Sequence, residues 1–276
     1  MKLLEQILNC SDGEIEKIIT DAISKCNDKT DKVDIIGFLP NLKYNNIHKG
    51  FIPLNTRIKY SKTGMEDYSL NSTDFYFEFA HFIRKNNINS GGKFVCFLEL
   101  FIDTYFGYPS KTSREYIFND IAWQNSETDE EYFTALDNNK IGDLKGKGAA
   151  MCTERTALAT ELLSLFGFDT YYCIGCINNN GNNEAHAFNI VKRKNDYALL
   201  DYSMTVPVYN QNGRINRYYP FIGIMSNEEF QDFINNGIIK SFDNYYYNQN
   251  EKVMTDTKRM YVVGAYEIEK ENTHIK

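Results

Sequence analysis

Three short runs rich in β-branched and aromatic residues, Tyr171–Ile177, Glu184–Lys192 and Tyr197–Tyr202, follow one another with only two turns between them. The turns, Asn178–Asn183 and Lys194–Asp196, are built from Asn, Gly, Asp and Lys, residues suited to tight reversal, so the runs are predicted to form an antiparallel meander. An amphipathic helix is predicted just before them. Ala157, Leu158, Leu162, Leu165 and Phe166 fall on one side of it, and Gly167 marks its end. An apolar helix side has to be covered, and the sheet is its nearest partner. The fold class read from this stretch is α+β, with one helix packed on an antiparallel sheet.

The helix is entered through a glycine-rich loop, Gly146 to Met151, which brings Cys152 to the first turn. His186 lies in the second run and Asp201 near the end of the third. Cys, His and Asp in these places suit a nucleophile, its base and the group that orients the base. Unpaired N–H groups and the positive end of the dipole at a helix start favour a thiolate. The same N–H groups can receive the oxyanion of a tetrahedral intermediate. Adjacent strands lie about 4.8 Å apart, so His186 and Asp201 are expected side by side on one face, with that face laid over the helix start. The loop lacks the spacing of a phosphate-binding loop.

The segments GAAMCTERTALA, HAFNIV and YALLDYS resemble the core of the transglutaminase-like superfamily, in which one helix carries the Cys and the following strands carry the His and Asp. The resemblance covers about a fifth of the chain closely. It implies a papain-like core with Cys152 as nucleophile, His186 as general base and acid, and Asp201 as the orienter of His186. The chemistry it implies is thiol-based acyl transfer and not a particular substrate; a peptide or protein amide is the expected partner, with no cofactor and no metal. Hydrolysis and transamidation are both open. Two alternatives stand beside it. One is a non-catalytic protein that uses the same fold for binding or as a scaffold. The other is a metal site of Cys152, His186 and Asp201 with Cys173 or Cys176, although these ligands lack the close pairing usual for zinc.

A net charge of −7 argues against a general nucleic-acid binder. No apolar run reaches the roughly 20 residues of a membrane span, and the N-terminus has no signal-peptide pattern. Six scattered Cys suggest reduced thiols. The expectation is a soluble, cytoplasmic protein without nucleic-acid or membrane partners.

Elsewhere, residues 1–110 read as a mainly helical region packed on a core of residues 111–276, with the motif segment at 146–202. Ser11–Glu14 reads as a capping box, followed by helices at 73–87, 93–106, 112–124 and 129–136. Val33–Leu39 and Thr56–Tyr60 read as strands, His48 as a solvated loop residue and His81 as a surface residue. Cys96 is expected to be an inert core thiol, and Cys173 and Cys176 packing residues on opposite faces of a strand. Residues 137–148 read as a flexible approach to Cys152. Thr153 is a candidate helix cap, Glu154 is expected to point away from Cys152 or to pair with a cation such as Arg155 or Arg193, and Trp123 and Gln124 are candidate oxyanion donors. A turn is expected at Tyr202-Ser203, a helix from Ser226 to Gly237, a sheet-edge strand at Met260–Val263 continued by Ala265–Ile268, and a charged terminus holding His274.

Overall fold

The computed structural model describes residues 2–29, 35–36, 47–54, 56–59, 68–179, 182–209, 212, 214–245, 252–253 and 258–263. Helices α1 (Lys2–Asn9) and α2 (Asp12–Asn27) open the chain, followed by short strands β1 (Ile35–Ile36), β2 (Ile47–Lys49), β3 (Arg57–Lys59) and β4 (Tyr68–Ser69). Helices α3 (Asp74–Lys85), α4 (Gly91–Phe106), α5 (Arg114–Gln124) and α6 (Asp129–Asp137) come next, then α7 (Cys152–Leu165). The meander is β5 (Thr170–Asn179), β6 (Asn182–Lys192) and β7 (Tyr197–Tyr209), extended by β8 (Ile215–Met225). Helix α8 (Asn227–Asn236), β9 (Lys240–Asp243), β10 (Lys252–Val253) and β11 (Lys258–Val263) complete the described chain. Mixed α+β architecture is what the sequence predicts. Ala265–Ile268, His274 and most of Val33–Leu39 lie outside the described residues.

The capping box read at Ser11 and the helix start read at Ser226 are both present. Ser11 donates its N–H and its hydroxyl to Glu14 Oε2 at 2.8 and 2.6 Å, and at α8 Ser226 N–H donates to Glu229 Oε2 while Ser226 Oγ accepts the Glu229 N–H. Ser90 caps α4 by accepting the Lys93 N–H, so the helix starts at Gly91, two residues before the predicted start at 93.

One sheet orders its strands β10-β7-β6-β5-β11-β9, with β2 also along β5 and β8 along β7, and its pairs are antiparallel. The Tyr245 N–H donates to the Ile222 carbonyl at 2.7 Å, which draws the segment after β9 onto β8 and nearly closes the sheet on itself. Three expectations change here. β11 lies inside the sheet, between β5 and β9, and is not an edge. Tyr202-Ser203 is not a turn, because β7 continues through Pro207 with a register shift between Asp201 and Val206. His48 is not a solvated loop residue: it is half-buried in β2 opposite Tyr172, with its ring bonded to the Phe51 carbonyl. Burial lowers its pKa.

Alternation along the strands divides the interior in two. Tyr172, Ile174, Ala187, Val191, Ala198 and Leu200 face α7 and the N-terminal helices. Cys173, Ile177, Phe188, Ile190 and Leu199 face the other way, against Phe221, Phe230, Phe233, Phe242 and Tyr261.

Helix α7 is buried on all sides and is not amphipathic, because α2, α3 and α4 cover what the sheet does not. Several of its polar residues are paired where they lie. Asn189 Nδ2 donates to Thr160 Oγ1 at 2.7 Å, and Glu161 accepts the Ile52 N–H at 2.7 Å and the Tyr76 hydroxyl. Burial raises the Glu161 carboxyl to about 8, against the opposing pull of those two bonds.

Candidate active site

The loop before Cys152 is held rather than flexible. Gly146 and Gly148 donate their N–H groups to the Tyr105 and Phe106 carbonyls at 2.8 and 2.7 Å. Gly148 has φ +67°, and a Cβ there would lie 1.9 Å from the Tyr108 carbonyl oxygen, so both backbone and space demand glycine. Met151 occupies the N-cap position and Cys152 is the first residue of α7. Thr153 is not the cap. Its hydroxyl donates to Glu154 Oε1 and accepts from Arg114.

Glu154 is the anchor of this helix start. Its Oε2 accepts the Met151 N–H at 2.7 Å, and its Oε1 meets Arg114 Nη1 at 2.5 Å in a buried ion pair. The partner is therefore neither Arg155 nor Arg193. Arg155 turns to Glu99 and Asp103 at 2.9 and 2.5 Å and gives its Nε–H to the Tyr202 carbonyl at 2.6 Å, while Arg193 pairs with Asp196. The role of Arg114 was not legible, because it lies 40 positions from its partner.

His186 and Asp201 come together as their strand positions suggest. His186 Nε2 lies 2.8 Å from Asp201 Oδ2. A carboxylate only accepts, so Nε2 carries the hydrogen and Nδ1 is left for the Cys152 side chain, which is within hydrogen-bonding reach of the ring. Asp201 is buried and fully engaged. Oδ2 also accepts the Tyr261 hydroxyl at 2.7 Å, and Oδ1 accepts the Ser203 and Met204 N–H groups at 2.9 and 3.1 Å. Burial works to lower the His186 pKa, but the Asp201 charge, its hydrogen bond and Cys152 outweigh it and raise the imidazole to about 10. Burial likewise pushes Asp201 up, and the His186 charge with three hydrogen bonds holds it below its ordinary value.

The placement differs from the expectation in one respect. His186 and Asp201 share a face with Phe188 and Tyr261, opposite the face that α7 covers. They meet the helix start because β6 and β7 part company there. Their pairing runs over Asn189–Lys192 and Tyr197–Leu200 and ends before His186 and Asp201. Side chains take over the backbone groups this releases in β7. Arg155 takes the Tyr202 carbonyl, Arg259 the Met204 carbonyl, and Asp201 the two N–H groups. Cys152, packed against the helical core, thereby comes within reach of a histidine on the far face.

The proposed oxyanion donors are engaged elsewhere. The Gln124 amide donates to Asp120, and Trp123 is 73% exposed beside Tyr132. Cys173 and Cys176 are buried strand residues, and burial raises the Cys173 thiol far above its ordinary range. Among the described residues, no group of three His, Cys, Asp or Glu side chains is placed to hold a metal ion. Among the same residues, no helix is long and apolar enough to cross a membrane. Comparison with known proteins yields no matching family model, no matching curated protein and no matching solved structure.

Proposed function

We propose that the chain is a thiol-dependent acyl-transfer enzyme with a transglutaminase-like, papain-like core, acting on an amide of a peptide or protein. The observation that carries this reading is the His186 ring bonded to Asp201 Oδ2 at 2.8 Å, with Cys152 at the start of α7 near enough to raise the ring's pKa. Asp201 keeps His186 protonated through neutral pH, and the proton is available to a leaving group.

Cys152, having passed its thiol proton to His186, attacks the amide carbonyl carbon as the thiolate. The C–S bond forms as the π electrons move to oxygen, and the first-turn N–H groups of α7 receive the oxyanion. His186 gives its proton to the departing nitrogen, the C–N bond breaks, and a thioester remains on Cys152. Water, or an amine, then attacks the thioester while His186 takes a proton from it. The Cys152 sulfur leaves with the bonding pair. Met151, 53% exposed and next to Cys152 in the chain, offers apolar surface to a substrate side chain.

The test is alkylation by iodoacetamide across pH, read by mass spectrometry at each Cys, in the wild type and His186→Ala. Cys152 is expected to react fast below the ordinary thiol pKa of about 8.5 and to lose that reactivity without His186. A Cys152 no faster than Cys10, and indifferent to His186, would remove the catalytic reading in favour of a binding protein.

A further inference from the structure

A cavity lies away from Cys152. It has a volume of about 810 Å³ and opens between the N-terminal half of α4, the end of β6, and β7 and β8. This is the size of a small-molecule site rather than a packing defect. Its walls are apolar, from Val95, Phe97, Phe168, Val191, Leu200 and Ile222. Its rim is cationic, with Lys93, Lys192 and Arg193, in a chain whose net charge is −7. Arg193 is steadied by Asp196 at 3.0 Å and by the Tyr245 ring, which also lines the cavity. The start of α4 faces the same space. Ser90 already takes the Lys93 and Phe94 N–H groups, so those of Gly91 and Gly92 stand at the open end of the helix. A Cβ placed on Gly92 would meet nothing within 4 Å.

We propose that this cavity binds a monocarboxylate with an aliphatic body, of the medium-chain fatty-acid class. The chain lies along Val191, Leu200 and Ile222. The carboxylate sits at the rim, where Lys93, Arg193 and the first N–H groups of α4 converge in charge and hydrogen-bonding capacity. An apolar occupant without charge would leave the rim unused, and a cation would be repelled by it. Cys96, expected from the sequence to be inert core, is half-buried and lines the wall, so its thiol reports on occupancy. The proposal does not depend on the chemistry of Cys152.

The test uses the full chain and the fluorescent probe 11-(dansylamino)undecanoate, displaced by decanoate, decan-1-ol or decylamine. Decanoate is expected to displace the probe at least about tenfold more tightly than decanol, and decylamine still less well. Lys93→Gln combined with Arg193→Gln is expected to weaken decanoate by about tenfold or more while leaving decanol unchanged. Ala198→Trp, which fills the cavity from its β7 wall, is expected to abolish displacement by any of the three. Without any substitution, decanoate is expected to slow iodoacetamide at Cys96 and leave Cys152 unaffected. Absence of saturable decanoate binding would overturn the proposal, as would equal affinity for decanol with no effect of the double variant, or protection of Cys152 in place of Cys96.

Discussion

His186 and Tyr261 donate to the same atom, Oδ2 of Asp201, at 2.8 and 2.7 Å. The tyrosine therefore shares the charge that holds the histidine. Tyr261→Phe keeps the ring in its core position and removes only the hydroxyl. The expected cost is about 1.5–3 kcal/mol of stability, the worth of a hydrogen bond to a charged group, read by chemical denaturation. Asp201 should then bind His186 more strongly, so the His186 imidazole should titrate higher still in ring-proton NMR. An unchanged or lowered titration would show that the hydroxyl does not compete for the carboxylate.

Stability against pH should report the same pair. The folded-state pKa of His186 is raised from 6.5 to about 10. Its contribution is thus fully present below about 6.5 and lost as pH rises through about 10. Asp201 is lowered from 3.8, so its contribution is present above that value and lost as pH falls through the lowered one. In denaturation curves taken between those limits, His186→Ala should lose the alkaline decline attributable to the pair. Parallel curves for variant and wild type would contradict the coupling.

Glu161 adds a second alkaline decline from a different source. Burial raises its carboxyl from 4.5 to about 8, so the folded chain holds a proton there that the unfolded chain has released. Stability from this group is present below 4.5 and drains away as pH rises through about 8. Glu161→Gln keeps an acceptor for the Ile52 N–H and lets the Tyr76 hydroxyl turn to accept. The variant should gain on the wild type as pH increases across that interval. If the difference between the two is flat with pH, the buried carboxyl is not the cause.

Arg114 and Glu154 are both buried, so breaking the pair should cost far more than breaking a surface one. Arg114→Ala is expected to lose about 3–5 kcal/mol, because it strands a buried carboxylate. Replacing both by Met should recover most of that loss, since the pair itself contributes little net energy. A double variant as unstable as the single one would mean that the pair does more than neutralise itself.

Much of this architecture was legible in the chain because it depends on neighbours. The capping box at Ser11, the helix start at Ser226, the meander, and the approach of His186 to Asp201 are set by residues a few positions or one hairpin apart. What was missed depends on distant partners. α7 read as amphipathic because Glu154, Arg155 and Glu161 look like solvent-facing charges until Arg114, Glu99 and Tyr76 are seen to meet them. His48 read as loop because a strand of three residues carries no periodicity. Tyr261 offered only a β-forming stretch, and Gly175 offered no signal beyond its place in a Cys-x-x-Cys spacing. Yet a Cβ at Gly175 would lie 1.8 Å from the Val262 carbonyl oxygen, so glycine is what admits β11 alongside β5.

The position of β11 also sets an order in time. Tyr261 lies 60 residues after the aspartate it serves, in the last described strand. A chain emerging from the ribosome from its N-terminus exposes Cys152, His186 and Asp201 well before that hydroxyl exists. Only when β11 slots between β5 and β9 does the carboxylate gain its final donor. The nascent protein thus carries an unfinished version of this site until β11 has been made.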